Sequence, residues 1–420
     1  MKSVEKRSAD APHPSHTIVV ALLAVGSFLE YFDLCLYVHI AGMLNRLFFP
    51  PHNFLSSKML AAFVFCSTYI LRPFGAFGFG YLGDKAGRKA AVITTTLTMA
   101  CACLTLSLLP TYAQIGIAAS WLVVGCRFVQ GLSVLGERLA AELYLTELAR
   151  PPMQYVLVGL VAAASELGAL CAVGAGKMIV AQIWSWRVVF GAGALVALVG
   201  ALSRTRLASV SVPSSSHALV DPPSSTLGAS LHTSLAFFGM QCISPVGFYL
   251  LYVHCGSLLK EFFGCSETEV LQQNFWVGCV QLGRTLGLAL ASGIIHPLRL
   301  LKIRTWAFAF FALLAPWLLH RAQTVQDIWI FQVLGVLSIP SCMPAGPILY
   351  KHFPKGHRFK YTGTLFAVSR ALAQVAASFG LIYATQQVGH WGIWLLFLPA
   401  LVAYGWGLQH FIKLERGVGR

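Results

Sequence analysis

The sequence predicts an all-α polytopic membrane protein, with twelve spanning helices in two pseudo-symmetric six-helix bundles. Three observations predict it. The chain is 57% hydrophobic and only 11% charged, with mean hydropathy +0.70, too little charge to cover a water-soluble surface. Its 420 residues have room for about twelve apolar runs of roughly 20 residues with short connections. The turns between those runs alternate between strongly basic and mixed in sign, as they do when successive turns lie on opposite sides of a membrane.

One turn fixes the orientation. In Leu71–Ala90 a helix with close-set glycines, including Gly75 and Gly80, breaks into Asp84-Lys85-Ala86-Gly87-Arg88-Lys89, and an apolar run resumes at Ala91. A charged, irregular backbone cannot stay in hydrocarbon, and its excess of Lys and Arg places it in the cytoplasm. The formal net charge of +15 has the same origin: bases gather in short loops on one side. That excludes a nucleic-acid partner. The 11 cysteines are scattered through apolar runs without zinc spacing. Neither a metal nor a cofactor is expected.

The first helix is predicted at 17–40, after a basic stretch with Lys2, Lys6 and Arg7. That apolar segment is too long for a signal-peptide core, so it reads as retained. Glu30, Asp33 and Tyr37 share one face of it, and carboxyls at membrane depth belong to a polar cavity by default. Arg46 is expected in the outer connection. The second helix, 57–81, carries Arg72-Pro73, with a kink at the proline. The third, 91–109, reads as featureless support facing lipid. The fourth stretch, 115–149, places Arg127, Gln130, Val134, Glu137 and Ala141 on one stripe. An apolar helix with Arg and Glu on one stripe turns that stripe inward. Arg138 and Glu142, four apart, are spaced for a local pair. The fifth helix, 153–180, carries Glu166 and Lys177 on one face; the sixth is predicted at 188–203.

Residues 204–230 are rich in Ser and Pro and read as a cytoplasmic linker. The domain plan is therefore a cytoplasmic tail over 1–16, one bundle over 17–203, the linker over 204–230, a second bundle over 231–412 and a tail over 413–420. Helices are predicted in the second bundle at 231–259, 270–295, 306–320, 328–350, 361–385 and 391–411. Arg299, Lys302 and Arg304 are expected in a cytoplasmic connection, and both termini lie inside. Tyr249, Arg284 and Arg370 are its main polar candidates, because an arginine in mid-helix has few innocent explanations.

These residues resemble a known family. Gly80-Tyr81-Leu82-Gly83-Asp84-Lys85-Ala86-Gly87-Arg88-Lys89 is similar to the loop signature between helices 2 and 3 of the major facilitator superfamily. Glu30-Tyr31-Phe32-Asp33, Leu71-Arg72-Pro73-Phe74-Gly75, Arg127-Phe128-Val129-Gln130-Gly131, Gly136-Glu137 and Trp184-Ser185-Trp186-Arg187 narrow the resemblance. It is to metabolite:proton symporters, the group with proline/betaine and α-ketoglutarate carriers. The likeness is dense over the first half and thinner over the second. Leu135, Arg138 and Leu139 depart from the family's small residues, and Glu142 is an added acid.

The resemblance implies two bundles rocking about a central site, and buried charge at such an interface agrees with it. Glu30 and Asp33 are then expected to couple protons, since a carboxyl in a partly dry cavity can load and release a proton near neutral pH. Tyr37, Arg127, Gln130, Tyr249, Arg284 and Arg370 are expected at the substrate. Arg72, Gly80, Asp84, Gly87, Arg88, Glu137 and Glu147 are expected to gate, with Asp84 near Tyr361. Glu30, Asp33 and Arg127 are expected to line one water-accessible chamber shared by both halves. The function so implied is proton-coupled symport of a small zwitterion or organic acid, by a monomer in a bacterial inner membrane. The alternative is a carrier-like sensor or assembly partner without transport. No paired His, metal motif, nucleophile elbow or nucleotide loop supports an enzyme.

Overall fold

Long apolar runs must satisfy their own backbone, and a helix does so within one segment. In a computed structural model, which describes residues 16–50, 66–75, 77–79, 88–133, 141–143, 145–146, 149–206, 230–354 and 358–418, the regular structure is helical throughout. In the first half these helices are α1 (His16–Phe48), α2 (described over 66–75 and 77–79), α3 (Arg88–Leu108), α4 (Ile117–Ser133), α5 (Met153–Val180) and α6 (Trp186–Arg206). The second half opens with α7 (Leu231–Phe248), which continues through a π-helical turn, Tyr249–His254, into Cys255–Phe263. Then come α8 (Glu267–Ala291), α9 (Pro297–Arg321), α10 (Val325–Ser338, resuming at Gly346–Tyr350), α11 (Arg358–Val388) and α12 (Trp394–Val418). The two halves form the two-bundle architecture the sequence predicts.

Three boundaries differ from expectation, each for a local reason. α1 runs past Ile40 to Phe48 because Leu44 and Phe48 keep its buried side apolar while Arg46 stays exposed. α9 starts at Pro297, not near Trp306, so Arg299, Lys302 and Arg304 are helical rather than in a loop. Leu298, Leu300 and Leu301 turn inward there while Arg299 and Lys302 face out. Arg304 is itself buried and donates to the Ile339 carbonyl. α10 is broken over 339–345, where a single helix was predicted. Pro340 and Pro344 lie in the break, and proline supplies no backbone N–H to continue the ladder.

The halves meet along α5 and α8, which run antiparallel and in register. Gly159 lies against Ala289, Glu166 meets Gln281, Leu170 packs on Gly278, Gly174 faces Phe275, and Lys177 donates to Gln272. At Gly159 an added Cβ would lie 2.4 Å from the Ala289 Cβ, so only glycine admits this approach. Small residues serve membrane helices in this way, because packing and dispersion replace water release as the cohesive force. Inside the first half, α1 and α5 also cross closely: a Cβ on Gly168 would stand 2.2 Å from the Phe28 carbonyl oxygen.

The two cores differ in kind. The second half buries a large aromatic set, including Phe237, Phe308, Phe331, Phe397, Tyr404 and Phe411. In the first half Tyr37, Phe48, Val123 and Phe190 form a smaller cluster around α1.

Candidate functional site

Two polar regions emerge, one inside the first half and one on the seam. α1 separates them because its faces differ. The Glu30–Asp33–Tyr37 stripe looks toward α3, α4 and α6, while Leu34 and Val38 pack into the core of the second half. Tyr31, next to Glu30 in sequence, accepts a 3.1 Å hydrogen bond from Arg370 Nη1 of α11.

The inner region centres on Asp33. Its Oδ1 accepts from Cys103 Sγ of α3 at 3.0 Å and from Gln130 Nε2 of α4 at 3.2 Å. Arg127 Nη1 donates to Gln130 Oε1 at 2.7 Å and stands 3.9 Å from Asp33 Oδ2. The Arg127 guanidinium also lies over the Tyr37 ring, 4.0 Å from its centroid. Arg127 is 1% exposed, and its Nε and Nη2 meet no hydrogen-bonding atom among the described residues. A buried cation with donors to spare, beside an acid it only just reaches, is a poised pair rather than a closed one.

Beside it lies a cleft of about 840 Å³, open mouth included. Its walls come from α1, α3, α4 and α6, largely apolar, with Glu30, Asp33, Thr95 and Cys103 as its chemical features. This corrects two expectations. Among the described residues every wall of the cleft comes from the first half, so Glu30 and Asp33 line a cleft of that half and Arg127 stands behind it, where a chamber shared by both halves was expected. The physical cause is helical rotation: only a second stripe of α1 meets the other bundle. α3, read as featureless, supplies the thiol on Asp33.

The seam region joins residues of both halves. Tyr252 donates to Gln281 at 2.8 Å, and Gln281 donates to Glu166. Phe248 stacks on Tyr252 with centroids 5.3 Å apart, and His39 of α1 approaches edge-on at 6.2 Å. Arg284 Nη1 donates to the Val336 carbonyl at 2.6 Å, near the α10 break. Arg370 lies over Phe366, 4.5 Å from its centroid. Tyr249 is buried in the second-half core, and buried Arg72 lies over Tyr69 at 4.3 Å.

Bridges between the halves stand at both ends of the seam. At one end, Arg46 Nη2 contacts both Glu267 oxygens at 3.0 Å, with Lys260 at 3.7 Å from the same carboxylate. At the other, Tyr350 donates to Glu142 Oε2 at 2.6 Å. The local pair expected between Glu142 and Arg138 lies outside the described residues; the Tyr350 contact adds a link across the seam to α10. Gly80, Asp84, Gly87, Glu137 and Glu147 also lie outside the described residues. Arg88 is described only in its backbone, at the first position of α3.

Comparison with known proteins places this geometry. The family described as "Sugar (and other) transporter" matches residues 19–208. The chain is 30% identical over 204 residues to the inner membrane metabolite transport protein YhjE of Escherichia coli, spanning 47% of this chain and 46% of that one. It is 28% identical over 255 residues to a citrate-proton symporter of Klebsiella pneumoniae, spanning 59% and 57%. The chain thus spans about half the length of these two curated relatives. Its fold matches that of the proton:xylose symporter XylE of E. coli with a TM-score of 0.72 and 16% identity, over 92% of this chain and 94% of that one. The fold is that of a membrane carrier built from two helical bundles. Residues 19–208 match that transporter family, and the fold is the two-bundle fold of the major facilitator superfamily; the matched proteins named here are transporters, not enzymes.

Proposed function

We propose that the chain is a secondary active transporter that carries a small zwitterion or organic acid together with protons by alternating access. The single observation that supports it best is the Asp33–Gln130–Arg127 arrangement with Cys103, buried in the first half. A proton on Asp33 removes the charge that Arg127 attracts, and the guanidinium's unused donors then seek another partner. Both consequences act on α1 and α4.

In this reading α1 couples the two regions. Its inner stripe carries Glu30 and Asp33, and its outer stripe carries Tyr31 against Arg370. Arg284 and Arg370 offer a substrate carboxylate its cationic partners; Gln281, Tyr249 and the Tyr252–Phe248 stack complete the seam site. Arg127, Tyr37 and Gln130 act on the proton side rather than on the substrate. Glu142–Tyr350 and Arg46–Glu267 are the bridges that must open in turn, alongside the gate proposed for Arg72, Gly80, Asp84, Gly87, Arg88, Glu137 and Glu147. The membrane is a bacterial inner membrane, with both termini in the cytoplasm, and the protein works as a monomer.

The test is uptake into proteoliposomes of labelled proline, glycine betaine, α-ketoglutarate and citrate under an imposed proton gradient. One of these accumulates with the wild-type chain. Asp33→Asn loses gradient-driven accumulation and keeps substrate exchange. Accumulation unchanged by Asp33→Asn removes Asp33 from the proton path and overturns the reading.

A further inference from the structure

The hydrogen bonds around Asp33 have only one consistent direction. Arg127 can only donate, so Gln130 must turn its oxygen to Arg127 and its NH2 toward Asp33 and Cys103. Gln130 Nε2 lies 3.3 Å from Cys103 Sγ and 3.2 Å from Asp33 Oδ1. The sulfur accepts there, which leaves its own S–H to point at Asp33 Oδ1, 3.0 Å away. Position 103 thus needs a side chain that accepts and donates at once, and an aliphatic side chain does neither. Burial alone does not account for this, because Cys103 also stands in the cleft wall, at the point where the cleft reaches Asp33.

From this geometry we infer that Cys103 is a positioning residue of the proton site: its thiol fixes which oxygen of Asp33 stays bonded and which is left for the proton. This rests on the proton-site reading above. Oδ1 carries both neutral donors, while Oδ2 faces Arg127 across 3.9 Å. The incoming proton therefore goes to Oδ2, with its O–H turned away from the guanidinium, which offers no acceptor. Among the described residues, the other titratable groups near Asp33 are Glu30, Cys35 and Tyr37 on α1 itself and Arg127 on α4. α6 presents Val189, Phe190, Gly193 and Ala197 to this cleft and adds none.

The experiment is infrared titration of the full-length protein reconstituted in lipid, without substrate. The Asp33 carboxyl band is the one that Asp33→Asn abolishes. Cys103→Ala loses a donor to the charged form, so the midpoint of that band moves to the alkaline side by about half a unit to one unit. Cys103→Ser, which accepts and donates, returns it toward the wild-type value. The S–H stretch of Cys103, identified by its loss in Cys103→Ala, shifts when Asp33 becomes Asn. A wild-type midpoint in Cys103→Ala, or Cys103→Ser behaving like Cys103→Ala, overturns the inference and leaves the proton site standing. A wild-type spectrum that loses no titrating band in Asp33→Asn removes the proton site itself, and the inference with it.

Discussion

The two halves share an architecture and divide the charge between them. Glu30, Asp33, Glu142 and Glu166 are all in the first half, on helices that pack against other helices. In the second half the acids are Glu261, Glu267, Glu269, Asp327 and Glu415, each at or near a helix end. The interior of the second half holds arginines instead, and two of them spend donors on carbonyls at the α10 break: Arg284 on Val336 and Arg304 on Ile339. A broken helix leaves carbonyls without backbone partners, and a guanidinium supplies donors where no water reaches. Duplicate architecture thus does not mean duplicate duty. Among the described residues, buried carboxyls belong to the first half alone, and on the proposed reading that half takes up the proton.

The sharpest way to break that division is to neutralise one member of each half. Asp33→Asn should abolish accumulation while exchange survives. Arg284→Gln should do the reverse, raising the half-saturating substrate concentration about 10- to 100-fold, as expected for a lost charged hydrogen bond of roughly 1.5–3 kcal/mol. Loss of proton coupling in Arg284→Gln with unchanged substrate affinity would erase the distinction. A smaller effect should come from Tyr350→Phe. Removing the donor to buried Glu142 should favour opening toward the cytoplasm about tenfold or more, read as faster labelling of cysteines placed at that end of the seam. No change in labelling would reduce the contact to packing.

The smallest effect sharpens the contrast from the water-facing side. Asp327 accepts from the backbone N–H of Gln323 and Thr324 and from the Thr324 hydroxyl, and these bonds hold its carboxyl below the usual carboxylate range. The folded value is depressed, so the cap's contribution is full above the unfolded value and is lost as pH falls below it through the folded value. Asp327→Ala should lower thermal stability slightly at pH 7, and the difference should shrink steadily as pH falls below about 4. A difference independent of pH would assign the effect to packing.

The fold was legible because its constraints are coarse. A basic turn between apolar runs has only one place to go, and Asp84 to Lys89 marked it. The inward placement of Asp33, Arg127 and Gln130 was legible because each costs too much to face lipid. What each would meet was not legible. Periodicity tells which residues share a face, not which neighbour that face finds; Glu30 and Tyr31, adjacent in sequence, end in different regions. Cys103 carried no signal, since a thiol in an apolar run looks like any other small side chain. The contact of Glu142 with Tyr350 was not legible, because Tyr350 is distant in sequence and follows a break that apolar composition conceals. Arg299 to Arg304 misled in the opposite sense: density of charge imitated a loop, while the leucines between them had already started a helix.

The α5–α8 boundary uses amides where an ion pair was available. Glu166 and Lys177 belong to the same helix, and each is answered from α8 by a glutamine, Gln281 and Gln272. A carboxamide greets either sign by turning over, and it carries no charge of its own to strand when the partner withdraws. Water can take its place at little loss. On the alternating-access reading proposed above, such a boundary suits repeated parting, much as a zip fastener differs from a weld.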